Sequence, residues 1–147
     1  MKGQCLCGAV SFEIEGKLPN LYQCHCSLCR KVTGAAANAA TIVAESAFRW
    51  LSGQDRIRSF SRSTGYRSDF CSVCGSPVPN KLNVKDRFWV PAGLLDDARD
   101  LAVAVHIHLT SAAAWEHDAQ RCLHWPEGPP DLASLERALQ RSEGDRN

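Results

Sequence analysis

Apolar and polar residues alternate near the start of the chain in a pattern typical of a half-buried β-strand. Val10, Phe12 and Ile14 are separated by polar residues, and residues two apart on a strand point to the same face of a sheet. Further short runs rich in apolar, β-branched or aromatic residues predict strands over 21–24, 34–44, 66–70, 87–90 and 101–109. The alanine-rich run at 34–44 is also compatible with a helix. The pattern as a whole predicts a mainly β protein.

Turn residues organise the middle of the chain. The segments 48–51 and 56–61 flank Ser52-Gly53-Gln54-Asp55, which predicts a β-hairpin with its turn at these four residues. Ser46-Ala47-Phe48, just before it, is compatible with one helical turn. Pro77 and Pro79 lack the backbone N–H that a central strand must donate, so we expect their segment at a sheet edge or in a loop.

The end of the chain has a helical pattern instead. Asp131 follows two prolines and is a good N-cap. Leu132, Leu135 and Leu139 share one helical face, which predicts a short helix to about Arg141 with a polar tail after it. We therefore expect one mainly β domain over 1–126, followed by a C-terminal helix and tail over 127–147.

Composition narrows the class of protein. The chain has 147 residues, which is the usual length of one domain. Apolar residues make up 44% and charged residues 22%, which excludes a disordered chain and a coiled coil. The formal net charge is only +1, so the chain lacks the excess of basic residues that is typical of nucleic-acid-binding proteins. The longest apolar run, 101–105, is far too short to cross a membrane.

Cysteine is unusually frequent for a chain that we expect in the cytoplasm. No secretory signal is evident at the N-terminus, so the thiols are expected to stay reduced. Seven of the eight cysteines fall into three tight groups, namely Cys5 and Cys7, then Cys24, Cys26 and Cys29, then Cys71 and Cys74. Cys122 stands alone, and we interpret it as a partly buried, small hydrophobic residue. Reduced, clustered cysteines indicate metal binding or thiol chemistry rather than disulfides.

The first and last groups form two pairs, each followed by a glycine. Cys71-Ser-Val-Cys74 precedes Gly75, and Cys5-Leu-Cys7 precedes Gly8. Two thiolate pairs complete a closed tetrahedral zinc site of the structural type. The alternative is that these are buried or unpaired thiols.

The middle group is a triplet. Cys24, Cys26 and Cys29 supply three ligands, which leaves a fourth position for water or substrate, as in catalytic zinc sites. Two alternatives stay open: a redox dithiol, and a ligand set that includes His25. We interpret His25 as a non-ligand, because adjacent residues in an extended segment face opposite sides.

Four motifs together resemble a known family. They are Cys5-Leu-Cys-Gly-Ala-Val10, Cys24-His-Cys-Ser-Leu-Cys-Arg-Lys-Val-Thr-Gly34, Phe70-Cys-Ser-Val-Cys-Gly-Ser76, and the run from His106-Ile107 through Ser111 to Trp115. In this order they resemble the glutathione-dependent formaldehyde-activating enzyme family, also called the centromere protein V family. The resemblance covers about residues 3–126.

The resemblance implies a fold, two metals and an activity. The fold is a β-tent of antiparallel sheets around two zinc ions. One zinc is structural and held by Cys5, Cys7, Cys71 and Cys74; the other is catalytic and held by Cys24, Cys26 and Cys29. The implied activity is that of a carbon–sulfur lyase, whose reaction joins glutathione and formaldehyde as S-hydroxymethylglutathione. The implied partners are therefore a small thiol and an aldehyde.

Other residues near the motifs are candidates for supporting roles. Arg30 and Lys31 follow the triplet and could offset its charge or hold a substrate carboxylate; as the alternative, they are solvated surface charges. His106 and His108 are two apart and would share a strand face, for acid–base work or as structural histidines. Trp89 and Trp115 could wall a pocket or pack in a core.

Two other functional classes compete with an enzyme. Paired cysteine loops also occur in zinc modules that bind protein or nucleic acid, but the arginines of the segment 56–67 form only a modest basic run. A non-catalytic paralogue with both zinc ions is the third class. This third class is suggested by Ala112-Ala113-Ala114, which occupy the positions where family members usually carry Lys-Ala-Pro. The substrate and the oligomeric state are left open by the sequence.

Overall fold

The computed structural model describes residues 1–116, 126 and 129–139. The chain divides into two compact units, Met1–Ala113 and Ala114–Asn147. The first unit contains all the strands described below and the three cysteine groups. The described part of the second unit contains a short helix. The domain boundary that the sequence predicts, at residue 126, stays a prediction.

Eleven short strands and two α-helices make up the described secondary structure. The strands are β1 (Lys2–Gln4), β2 (Ser11–Ile14), β3 (Leu21–Cys24), β4 (Asn38–Ala44), β5 (Phe48–Ser52), β6 (Ile57–Ser61), β7 (Arg67–Cys71), β8 (Pro77–Val78), β9 (Asn80–Lys81), β10 (Arg87–Pro91) and β11 (Val103–Ile107). The helices are α1 (Ser27–Thr33) and α2 (Leu132–Leu139). Short 3₁₀ turns cover Glu45–Ala47, Gln54–Arg56, Ala92–Leu94 and Leu109–Ser111. The mainly β prediction is confirmed.

The strands form three sheets, with the orders β1-β2-β5, β11-β3-β4-β10-β9 and β6-β7-β8. Among the described strands every pairing is antiparallel except that of β11 with β3, which is parallel. This pair departs from the purely antiparallel arrangement that the resemblance implies. It places Ile107 beside Cys24, at the end of the strand that leads into the cysteine triplet.

The predicted hairpin between 48–51 and 56–61 is wrong, although both strands exist. β5 pairs with β2, whereas β6 pairs with β7 in a different sheet. The chain changes sheets at Gly53, which has a φ of +75°. Gly53 packs against the backbone of Ala9, which lies between β1 and β2. A Cβ at Gly53 would lie 1.9 Å from the carbonyl oxygen of Ala9, so no residue with a side chain fits at this position.

Packing of aromatic rings explains why β5 stays with β2. The ring of Phe48 stacks on that of Phe88 at a centroid distance of 4.1 Å and on that of Phe12 at 5.5 Å. Trp50 meets Phe12 edge to face. The alternation that predicts β2 is confirmed, since Phe12 and Ile14 are buried in this core. Leu18, Val43 and Val90 complete its buried part.

A second, smaller core lies under one cysteine group. Val10 and Val78 are fully buried, and they pack with Cys5 and Cys71. Val78 belongs to β8, which ends the sheet β6-β7-β8, so the expectation that Pro77 occupies a sheet edge is confirmed. The thiols of Cys5 and Cys71 are therefore part of a buried apolar core.

The helices are short. In α2, the Oδ1 of Asp131 accepts a hydrogen bond of 2.6 Å from the backbone N–H of Ser134, which confirms the predicted start of the C-terminal helix. Its predicted end at Arg141 lies outside the described residues. In the part of the chain that the structure describes, neither helix is long and apolar enough to cross a membrane.

Candidate metal centres and the adjoining cavity

The first and last cysteine groups meet in space. The Sγ atoms of Cys5, Cys7, Cys71 and Cys74 all lie within 4.8 Å of one another. The Sγ atoms of Cys5 and Cys7 are 3.6 Å apart, and those of Cys7 and Cys71 are 3.9 Å apart. Cys5 and Cys71 are buried, whereas Cys7 is exposed. This arrangement can hold one metal ion with four sulfur ligands.

Two similar turns present these thiols. After β1 the backbone N–H of Gly8 donates to the carbonyl of Cys5 at 2.9 Å, and after β7 that of Gly75 donates to Cys71 at 2.8 Å. Both glycines have positive φ, 74° and 77°, which lets the chain fold back tightly under each sulfur pair. The backbone N–H of Val10 also donates a hydrogen bond to the Sγ of Cys5 at 3.3 Å.

The acidities of these thiols are unequal in the free protein. Hydrogen bonds with the side chain and backbone of Ser76 lower the pKa of Cys74 to about 5. The backbone near Ala9 lowers the pKa of Cys7, but burial and the thiols of Cys74 and Cys5 outweigh it and raise the value to about 11. Four adjacent thiolates need a cation between them, and an all-sulfur set of four suits zinc.

The middle group forms a separate cluster. The Sγ atoms of Cys24, Cys26 and Cys29 lie within 4.8 Å of one another, and Cys24 is buried while the other two are half-buried. Cys24 ends β3, and Cys26 is the N-cap of α1. The Sγ of Cys26 accepts a hydrogen bond of 3.4 Å from the backbone N–H of Cys29. Helix α1 therefore turns the second and third thiols toward the first.

Helix α1 has no counterpart among the elements that the sequence predicts. The residues that usually mark the start of a helix are Ser, Thr, Asp and Asn, and cysteine is not among them. The end of the helix left a visible signal, because Gly34 takes a left-handed conformation and its N–H bonds to the carbonyl of Arg30. The helix is what makes the spacing of Cys26 and Cys29 suitable for one ion.

The pKa values of the three triplet thiols are shifted in different directions. Burial raises the pKa of Cys24 and, further, that of Cys29 beyond its usual range. Burial also acts to raise the pKa of Cys26, but hydrogen bonds from the backbone of Cys29 and from both neighbouring thiols outweigh it and lower the value. Three protein sulfurs can hold a divalent cation and leave a fourth position for another ligand. The donor set thus fits an open zinc site.

The histidines near the triplet pair with each other. The Nε2 of His25 and the Nδ1 of His106 are 3.0 Å apart, and His25 is buried. The His25 ring therefore turns toward β11, and the ligand atoms that converge with the triplet do not include it. His108 lies beyond the end of β11 with a φ of +59°. The prediction that His106 and His108 share a strand face is therefore wrong.

A cavity of about 370 Å³ adjoins Cys29. Its wall combines aromatic, amide and cationic side chains, which are Tyr22, Tyr66, Trp89, Asn38, Asn80, Asn83, Arg67 and Lys81. A larger cavity of about 690 Å³ lies at Met1 and the segment 16–20, and no cysteine lines it. We take the smaller cavity as the candidate substrate site, because it alone of these two contains a triplet sulfur.

Both tyrosines of this cavity keep their protons at neutral pH. Burial raises the pKa of Tyr22 to about 12. Burial and the nearby charges of Cys29 and Cys26 raise the pKa of Tyr66 as well. Each hydroxyl is therefore a permanent hydrogen-bond donor beside the triplet.

The sequence motifs identify the clustered sulfurs but not most of the residues of the cavity wall. Tyr66 and Lys81 come from segments far from the triplet, and no local motif marks them. Trp89 lines the cavity, which agrees with the expectation that it could form a pocket wall. Trp115 belongs to the second compact unit. Cys122 lies outside the described residues.

Arg30 and Lys31 do not line the cavity. The Nε of Arg30 is buried and has no hydrogen-bond partner within the described residues, while Lys31 is exposed. Their suggested roles in charge balance or carboxylate binding stay predictions.

The fold and the sulfur clusters define a small, mainly β protein with two cysteine sites that can bind metal. The family model for the glutathione-dependent formaldehyde-activating enzyme matches residues 1–111, so the chain belongs to this family. A crystal structure of a Rhodobacter sphaeroides protein is similar, with 27% identity and a TM-score of 0.58. The match covers 72% of this chain and 99% of that one. No curated protein matches the chain.

Proposed function

We propose that the protein is a zinc-dependent enzyme of the carbon–sulfur lyase type, which joins a small thiol to an aldehyde and catalyses the reverse cleavage. Glutathione and formaldehyde are the first pair to consider, because the family description names them. The observation that carries the proposal is a three-sulfur cluster, with room for a fourth ligand, at the wall of a cavity of ligand size.

The two clusters would have different roles. Cys5, Cys7, Cys71 and Cys74 would hold a structural zinc, since all four positions of a tetrahedron are filled by protein sulfur. Cys24, Cys26 and Cys29 would hold the catalytic zinc. When bound there, zinc would supply an open position that lowers the pKa of a substrate thiol to near neutrality.

The residues of the cavity would position the two reactants and stabilise the charge that develops. As the thiolate sulfur attacks the aldehyde carbon, the C–S bond forms and the C=O electron pair moves onto oxygen. The hydroxyl of Tyr66 would donate a hydrogen bond to that oxygen. A proton from water then completes the hydroxyl group of the product, replacing the one that the thiol lost. Cleavage reverses these steps.

The direct test uses the purified, zinc-loaded protein. We expect two zinc ions per chain by elemental analysis. NMR exchange measurements should show that the protein accelerates the interconversion of glutathione plus formaldehyde with S-hydroxymethylglutathione. If two zinc ions are present and neither glutathione nor other small thiols and aldehydes react faster than without protein, the non-catalytic zinc module is the correct interpretation.

The Tyr66→Phe variant tests the role of the cavity hydroxyl. Because the hydrogen bond would form mainly in the transition state, kcat should fall by about a hundredfold while KM for the thiol stays nearly unchanged. Thr64→Val, which removes an exposed hydroxyl from the same turn, is the matched control and should behave as wild type. A raised KM with an unchanged kcat would instead make Tyr66 a binding residue.

A further inference from the structure

We propose that Lys81 binds a carboxylate of the thiol substrate at the rim of the cavity, and so selects thiols that carry an acidic group. The inference rests on the proposed function only in taking the occupant of the cavity to be a thiol. It assigns the recognition of that thiol to one side chain, which no sequence motif marks.

Two cationic side chains, Arg67 and Lys81, line the cavity, and Arg67 is already paired with a buried carboxylate. The guanidinium of Arg67 donates two hydrogen bonds to the Asp69 carboxylate, at 2.7 and 2.8 Å. The Asp69 side chain is only 6% exposed. If Arg67 turned to a substrate, it would leave a buried carboxylate without its partner, which is strongly unfavourable. Arg67 is therefore a structural part of the wall.

Lys81 has a partner that it can leave easily. It forms an ion pair with Glu45, and the two side chains are 60% and 40% exposed. Solvent screens such pairs, so each contributes little to stability. The Nζ also lies 5.9 Å from the centroid of the Phe88 ring, a weak exposed contact. A lysine has a flexible stem, so its ammonium can move to a new anion at small cost.

The backbone of Lys81 is held firmly even though the ion pair of its side chain is weak. β9 pairs with β10, which sets Lys81 opposite Phe88. The Nδ2 of Asn80, a buried residue, donates to the carbonyl of Lys81 at 3.1 Å. A fixed Cα with a mobile ammonium suits a residue that exchanges one carboxylate for another.

The number of available cations also limits how many substrate carboxylates can be bound in the cavity. Of the cations that line this cavity, only Lys81 can be released cheaply, so one carboxylate can be paired there. A thiol with a single suitably placed carboxylate satisfies the site. Glutathione has two carboxylates, and its second would stay in solvent. We therefore expect one carboxylate to determine affinity.

The experiment measures binding without aldehyde. Isothermal titration of the zinc-loaded protein compares glutathione with glutathione diethyl ester, in which both carboxylates are masked. Wild type should bind glutathione about tenfold more tightly than the ester, a difference of about 1.4 kcal/mol. Lys81→Gln should abolish this preference by weakening glutathione alone. Lys85→Gln, an exposed lysine that does not line this cavity, is the matched control and should keep it.

A second variant tests the exchange of partners. Glu45→Gln removes the competing carboxylate, so glutathione should bind more tightly, by no more than about fivefold. The proposal is overturned if wild type shows no preference, or if Lys81→Gln keeps it. Turnover is measured separately: loss of the preference in Lys81→Gln supports Lys81 as the carboxylate site even when no thiol–aldehyde pair reacts, a result that would contradict the proposed function alone.

Discussion

The Cys71→Ser variant is expected to lose one of two zinc ions and most of its stability. The Cys71 thiol is fully buried in the smaller core and belongs to the four-sulfur cluster. Serine would remove a ligand and place a hydroxyl in an apolar interior. Because the free energy of binding a structural zinc is also folding free energy, the free energy of unfolding should fall by more than about 4 kcal/mol.

Urea unfolding and elemental analysis measure this effect together. Val73→Ala lies in the same turn, removes a side chain that is 58% exposed, and is the matched control. It should keep both zinc ions and change the free energy of unfolding by less than about 0.5 kcal/mol. A Cys71→Ser protein that unfolds at the wild-type urea concentration would show that the four-sulfur cluster does not support the fold.

The Cys26→Ser variant is expected to keep the fold and lose the activity. Serine is a good N-cap, so it should preserve the start of α1, where the Sγ of Cys26 now accepts from Cys29. It removes one of only three sulfurs from the open cluster. The zinc content should fall from two to one, and turnover should fall by about a thousandfold, since a catalytic metal contributes several kcal/mol.

The two readouts separate this cluster from the four-sulfur cluster. Thermal unfolding of Cys26→Ser should stay cooperative and close to wild type, in contrast with Cys71→Ser. Ser27→Ala, an exposed helix residue beside the ligand, should retain two zinc ions and full turnover. If Cys26→Ser retains both ions, or if it unfolds as readily as Cys71→Ser, the open-site assignment is wrong.

Local signals predict a large part of this structure. The alternation around Phe12 gives β2, and the segment Leu21–Cys24 is a strand with the predicted bounds. The pairing of the first and last cysteine groups also follows from the sequence, because a closed tetrahedral site needs two pairs. These features depend on neighbouring residues or on the ligand number of a metal, both of which can be recognised without knowledge of the fold.

The remaining features depend on contacts between distant segments. The predicted hairpin fails because Gly53 turns under Ala9 and sends the chain into another sheet. The cavity wall joins Tyr22, Tyr66 and Lys81, and only the sheet topology brings them together. The burial that raises the pKa of each tyrosine is likewise a property of the assembled wall.

The parallel pairing of β3 with β11 has a consequence for the order in which the protein is completed. The backbone N–H of His25, in the middle of the triplet motif, donates to the carbonyl of Ile107 at 3.0 Å. The four-sulfur cluster has all its ligands once Cys74 has been synthesised. The support of the triplet is complete only when Ile107 follows. During translation, the four-sulfur cluster can therefore take up a metal before the segment that braces the triplet exists.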